Sequence, residues 1–329
     1  MPEAKGNPLD PSARLVSEAV AELGWNADPK DLAERVRQLQ QGLPAEDEFA
    51  LLLSWLGKCA LVHRLDQLQI PPDSKATWRV PDLLAIFHYN GREIPTLVEV
   101  KTSAERQLSW RPDYYESMRR YAALLGVPLL LASNWTKLGF WTLCDTVLFE
   151  PAEKNYHLAY ETAMRHSLMC GLAGDFSYVF RPGVGLHFKF QKLEKPPPEN
   201  QNGDTWHLRV QEAYFTDATG QRLNTLGPGI WWMFLGAEQE TETDDHPGHF
   251  DHRFVMVEES PMQAAHRLLP LVTMGLGSDQ PVPWRRLMEE HSFAIDGAAL
   301  AAEARAAIER NIVRYVFHQQ PAELPTFLK

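Results

Sequence analysis

The sequence predicts an α/β protein, with a mixed sheet flanked by helices in 44–150 and an α+β region in 151–329. Two strand-like runs, 78–87 and 95–102, are joined by Asn90-Gly91, a pair that favours a tight two-residue hairpin turn. An apolar helical stripe (Phe49, Leu52, Leu53, Leu56) precedes them, and a helix-forming segment closed by Gly126 follows at 112–125. A compact apolar run at 127–132 then reads as a further strand. Helix, strands, helix, strand is the order of an α/β layer.

Residues 1–43 read as a helical N-terminal region of two short helices. Each is opened by an Asp-Pro pair, Asp10-Pro11 and Asp28-Pro29, in which Asp caps and Pro fills the first turn. Leu32, Val36 and Leu39 give the second its apolar stripe. A new helix is expected from Pro44, its first turn holding Glu46, Asp47 and Glu48 at the positive end of the dipole. Past a loop with Pro71-Pro72 come the hairpin, the 112–125 helix and the 127–132 strand, and 139–149 adds another strand. Beyond Pro151 the patterns predict a helix at 156–170 and strands at 176–180, 185–191, 206–214, 229–235 and 253–257. Helices are predicted at 262–269, 284–290 and 298–315, and 194–204 and 238–252 read as exposed, mobile loops.

With 44% hydrophobic and 23% charged residues, the composition is that of an ordinary soluble globular protein with a sizeable core. The net charge of −11 argues against a chain that coats nucleic acid through one large basic surface, but leaves room for a local basic groove. Cys59, Cys144 and Cys170 are far apart and form no CxxC pair, so buried free thiols are expected instead of a disulfide framework or zinc knuckle. No basic-then-apolar leader and no long uncharged apolar run appears, so a cytoplasmic location with no membrane partner is expected.

The chemistry-bearing residues lie on the predicted hairpin. Asp82 opens its first strand and Glu99 lies in its second, near the same end of the pair, although facing each other would require a bulge or splay. Side-chain alternation puts Leu97, Glu99 and Lys101 on one face and Val98 and Val100 on the other. Two carboxylates suffice to anchor a hard divalent ion such as Mg²⁺, and the Val100 carbonyl is a further candidate ligand. A neighbouring ammonium stabilises charge building on a phosphate under attack. A solvated Glu–Lys pair would contribute little to stability, whereas unpaired charges in so apolar a strand pair would be expensive.

Val80-Pro81-Asp82 followed by Val98-Glu99-Val100-Lys101 resembles the PD…ExK signature of the PD-(D/E)xK nuclease superfamily, whose fold is called restriction-endonuclease-like. The resemblance implies that Asp82 and Glu99 bind Mg²⁺ or Mn²⁺ and that Lys101 orients or activates the attacking water. It also implies a ligand on the first core helix, for which Glu48 is the first choice and Glu46 the second. Ser117-Met118-Arg119-Arg120-Tyr121 is similar to the family's QxxxY helix pattern, with Ser in place of Gln. Tyr121 and Arg120 then support the site or touch phosphate, and Arg111, Arg119 and Lys137 flank it as further phosphate contacts.

The expected activity is that of a Mg²⁺-dependent endonuclease cutting DNA, with 151–329 serving recognition, homodimerisation or docking of a partner protein. The resemblance implies a place in a bacterial restriction, repair or phage-defence system, where such a fold with an accessory domain is often found. An RNA-cleaving enzyme of the same fold and a non-cleaving nucleic-acid-binding or scaffold subunit remain open alternatives.

Three other clusters read as structural. Asp244, Asp245, His246, His249, Asp251 and His252 surround Pro247-Gly248 without a helical HExxH spacing, so an exposed loop is favoured over a metal site. Trp231-Trp232 reads as sheet core, and Arg305, Arg310 and Arg314, alternating with Glu303 and Glu309, as a solvated helix face.

Overall fold

The computed structural model describes residues 16, 19–20, 23–24, 26–66, 68–193, 206–223, 226–235, 237, 240–267 and 297–329. The predicted helix at 284–290 and the loop at 194–204 lie outside the described residues, as does the Asp10-Pro11 start of the first predicted helix, of which residues 16, 19–20 and 23 are described and helical.

Helix α1 (Pro29–Trp55) starts where Asp28 caps Lys30 and Pro29 fills the first turn. It runs without interruption through the expected break at Pro44, so the N-terminal region and the α/β unit share one helix. Proline removes one helical hydrogen bond. Burial of Phe49, Leu52, Leu53 and Leu56 against the sheet holds the second half in place all the same.

A central five-stranded sheet has the order β1 (Cys59–Arg64), β2 (Leu83–Tyr89), β3 (Arg92–Ser103), β5 (Leu129–Trp135), β6 (Phe140–Asp145). Strands β3 and β5 are parallel and joined through α2 (Pro112–Leu125), while the other neighbours are antiparallel, which makes the sheet mixed as predicted. Strand β1 was not anticipated from the sequence.

The two faces of the sheet are both covered. On one, Leu83, Ala85, Phe87, Val98, Val100, Leu130 and Ala132 join α1 in a core that continues into Phe176, Phe180, Phe234, Ala304 and Leu328. On the other, Leu97, Leu129, Leu131 and Trp135 pack on α2 and on a small sheet of β4 (Gln107–Trp110), β8 (Asn155–Ala159) and β7 (Glu150–Ala152). Residues beyond 151 thus share the first core with the α/β unit. Gln263 strengthens the join by exchanging two hydrogen bonds with the backbone of Trp141 on edge strand β6, at 2.7 and 2.8 Å.

The region beyond 151 differs from its predicted elements in several places. The 156–170 helix is β8 followed by the short α3 (Tyr160–Arg165) and a π turn, Met169–Ala173. The predicted strand at 229–235 is helix α4 (Pro228–Leu235), with Ile230, Met233 and Phe234 buried at helical spacing. Trp231 packs edge-on against Phe215, so it belongs to a helix–sheet contact.

The predicted loop at 238–252 contains a hairpin of β13 (Glu240–Asp245) and β14 (His249–Val255). This hairpin closes a second five-stranded sheet with β10 (Gly185–Lys192), β11 (Leu208–Thr216) and β12 (Arg222–Leu223). A three-stranded sheet is formed by β9 (Ser177–Phe180), β15 (Met262–Gln263) and β16 (Val313–Phe317). The last predicted helix accordingly ends early, as α5 (Gly297–Glu309), and Arg314 lies on β16, paired with Glu259.

Candidate metal centre

The β2–β3 turn determines the register of the site. Asn90 and Gly91 both have positive φ, 50° and 75°, the conformation of a two-residue hairpin loop. Pairing then runs without a shift from Tyr89↔Arg92 to Leu83↔Val98, so Asp82, the residue before, stands opposite Glu99. The expected bulge is therefore not needed, because the two arms of the hairpin are equal in length. Asp82 Oδ2 accepts the Val100 N–H at 2.8 Å, which fixes the carboxylate at the strand end.

Glu99 is buried, with 3% of its side chain exposed, whereas 33% of Lys101 is exposed. The Lys101 ammonium is ion-paired to Glu99 Oε1 and donates to the Val100 carbonyl at 3.1 Å. It thus spans two of the acceptors proposed as metal ligands. Tyr114, in the first turn of α2, donates its hydroxyl to Glu99 Oε1. The Arg79 guanidinium lies 4.6 Å from the centre of the Tyr114 ring, within cation–π range.

Asp82 is only half-buried by area, yet protein atoms surround it densely. Burial first, and then the charge of Glu99, hold its carboxyl well above the usual range, and Glu46 adds to the effect. For Lys101, burial acts to lower the ammonium pKa, but Glu99, Tyr114 and Asp82 together hold it well above the usual value. The Tyr114 phenol is likewise pushed up, by burial and by Glu99.

Of the two acidic candidates on α1, Glu46 is the one whose charge is felt at Asp82. It is bound at 2.6 Å by Arg64, which also pairs with Asp47. Two residues correspond to about 200° of helix rotation, which turns Glu48 to another side of α1. Burial pushes its carboxyl up to about 7.

The donor set fits a hard divalent cation. Asp82 and Glu99 stand opposite each other in a poorly hydrated place, where burial first and then the charge of Glu99 disfavour a second carboxylate, with a weaker contribution from Glu46. Ser133, next to Lys101 across the β3–β5 pairing, keeps its hydroxyl buried without a hydrogen-bond partner among the described residues.

The expected phosphate contacts are more dispersed. Arg111 pairs with Asp113, and Lys137 with Glu105. Arg119 contacts the Tyr115 hydroxyl at 3.4 Å and lies near Asp145. Arg120 is exposed, and Tyr121 is half-buried against the second core. Ser117, at the position of Gln in the family pattern, is buried, and its carbonyl accepts the Arg79 N–H at 3.1 Å. It thus ties α2 to the segment leading into Asp82.

Sequence reasoning missed Tyr114 and Arg79. The helical spacing of Tyr114, Met118 and Tyr121 was a usable signal for the first, since it places Tyr114 on the face that covers β3.

No family model matches the chain, and no curated protein does. Its structure is similar to that of a Holliday junction resolvase. That protein is Hjc of Archaeoglobus fulgidus, described as coming from an archaeal hyperthermophile; the likeness covers 37% of this chain and 91% of that one, at 20% identity and a TM-score of 0.31. Among the described residues no helix is long and apolar enough to cross a membrane.

Proposed function

We propose that this chain is a metal-dependent endonuclease of the PD-(D/E)xK type, using Mg²⁺ or Mn²⁺ to hydrolyse phosphodiester bonds in DNA. The observation that carries the reading is the unshifted β2–β3 register, which sets Asp82 opposite Glu99 with Lys101 on the same face. Asp82, Glu99 and Glu46, with the Val100 carbonyl, would hold the ion. When bound, it would polarise the scissile phosphate and acidify a water molecule.

Lys101 supplies the positive charge that stabilises the phosphate as electron density builds on it. Tyr114 holds the Glu99 carboxylate in its orientation, and the ring in turn carries Arg79. Arg111, Arg119, Arg120 and Lys137 are the proposed backbone contacts for the nucleic acid, with residues beyond 151 available for recognition.

The test is incubation with Mg²⁺ or Mn²⁺ on single- and double-stranded DNA and RNA. DNA cleavage that disappears with EDTA and in Asp82→Asn is the expected result. Cleavage confined to RNA would overturn the substrate assignment. No cleavage of any substrate, together with no Mg²⁺ binding by calorimetry, would overturn the enzymatic reading altogether.

A further inference from the structure

The hairpin of β13 and β14 brings together residues that the sequence leaves in an apparent loop. Its turn is closed by the His246 N–H donating to the His249 carbonyl at 3.0 Å, and the two imidazole rings stack with centroids 4.2 Å apart. His249 and Asp251 share one face of β14, two residues apart. One ligand atom from each of His246, His249 and Asp251 lies within 4.8 Å of the other two.

The pair His249 Nε2 and Asp251 Oδ2 is 3.7 Å apart. That is near the roughly 3.3 Å separating two ligands that sit ~2.0–2.1 Å from a tetrahedral ion. The other Asp251 oxygen, Oδ1, is buried with no hydrogen-bond partner among the described residues. Directly across the ladder stands a second carboxylate, Asp244, a like-charge facing that destabilises a strand pair unless a cation intervenes. Arg253 engages Asp244 at 3.1 Å, and Lys192 engages Asp245. Asp251 itself stands opposite Lys189 of β10, but no ion pair between the two is formed among the described residues.

We propose that the β13–β14 tip binds a transition-metal ion of the Zn²⁺ class through His246, His249 and Asp251. Two imidazoles and one carboxylate suit Zn²⁺, Co²⁺ or Ni²⁺, whereas Mg²⁺ prefers all-oxygen ligands. Three protein ligands leave a fourth position for water or an incoming donor. The site is separate from the Asp82 centre and lies on a different sheet.

The experiment uses the full chain without an affinity tag, stripped with EDTA and kept in excess Mg²⁺ to saturate the carboxylate centre. Zn²⁺ is titrated by calorimetry, and Co²⁺ by its visible absorption. One equivalent with tetrahedral Co²⁺ absorption is expected, and His246→Ala and His249→Ala should each weaken binding at least tenfold. Asp244→Asn, which changes a neighbouring charge and no ligand, should weaken binding by less than either histidine variant and leave the tetrahedral Co²⁺ absorption in place. The absence of Zn²⁺ binding in the wild type, or wild-type affinity in either histidine variant, would overturn the proposal. Far-UV circular dichroism of each variant in EDTA establishes that the comparison is between folded chains.

Discussion

Replacing Glu48 by Gln separates the two acidic candidates on α1 by stability as well as by activity. Burial raises the Glu48 carboxyl from 4.5 to about 7. Its folded-state pKa thus exceeds the unfolded one, and the folded chain holds the proton more tightly. The resulting stability is fully present below about 4.5 and is lost as pH rises through about 7. At about 1.36 kcal/mol for each tenfold change in proton affinity, a rise from 4.5 to about 7 bounds the loss at ~3 kcal/mol at pH 8.

Gln keeps the shape and removes the charge while retaining an amide to be desolvated, so a gain of about 1–3 kcal/mol is expected at pH 8. Little or none is expected at pH 4.5. Urea denaturation at the two pH values measures the difference, and DNA cleavage by Glu48→Gln should stay near the wild-type rate. Glu46→Gln should instead weaken Mg²⁺ binding about tenfold or more, as loss of a ligand does. A Glu48→Gln protein that gains nothing at pH 8 relative to pH 4.5 would refute the burial argument. Lost cleavage in Glu48→Gln with intact cleavage in Glu46→Gln would refute the choice of Glu46.

Asp82→Asn should abolish cleavage while raising the melting temperature in EDTA at pH 8, because it removes a charge that burial, Glu99 and Glu46 all disfavour; an unchanged or lower melting temperature would contradict this. Lys101→Ala should also abolish cleavage, and it should lower stability in EDTA by leaving Glu99 without its ammonium. Added Mg²⁺ should then raise its melting temperature by more than that of the wild type. Tyr114→Phe should lower stability in EDTA by about 1–3 kcal/mol through loss of a hydrogen bond to a charged acceptor, read from the urea midpoint. Mg²⁺ affinity should increase as pH rises through a range above that of ordinary carboxylates, following the raised Asp82 pKa; calorimetry between pH 5 and pH 8, as rough limits, would reveal a flat profile if the reasoning fails.

The sequence was most legible where structure is set by neighbours along the chain. Asn90-Gly91 imposes its own turn geometry, and alternation then orders Leu97, Glu99 and Lys101 on one face without reference to the rest of the molecule. It was least legible where the period was absent or misleading. The segment Pro228–Leu235 is apolar throughout, so neither a two-residue nor a 3.6-residue period stands out, and only its packing decides for helix. The β13–β14 hairpin looks like a loop because its residues are polar and exposed or half-exposed, with Pro247-Gly248 in the hairpin's connection. The strand Val313–Phe317 was absorbed into the preceding helix, although Asn311, with φ of 58°, separates the two.

The site divides along the same line. Asp82, Glu99 and Lys101 lie on one hairpin and were readable from it, whereas Glu46, Tyr114 and Arg79 reach it only through the packing of α1 and α2 on opposite faces of the sheet. That packing gives the site its electrostatic character. On an exposed hairpin, Asp82 and Glu99 would be two hydrated carboxylates with ordinary titration; enclosed by both layers, they face each other where water no longer screens them well, and the charge of Glu46 is felt there too. A sequence selected for stability alone would place Asn or Ser at 82, which could still accept the Val100 N–H without a charge. A carboxylate there, disfavoured by burial, Glu99 and Glu46 even though Lys101 pairs with Glu99 and Arg64 with Glu46, is the kind of local inconsistency that functional sites carry.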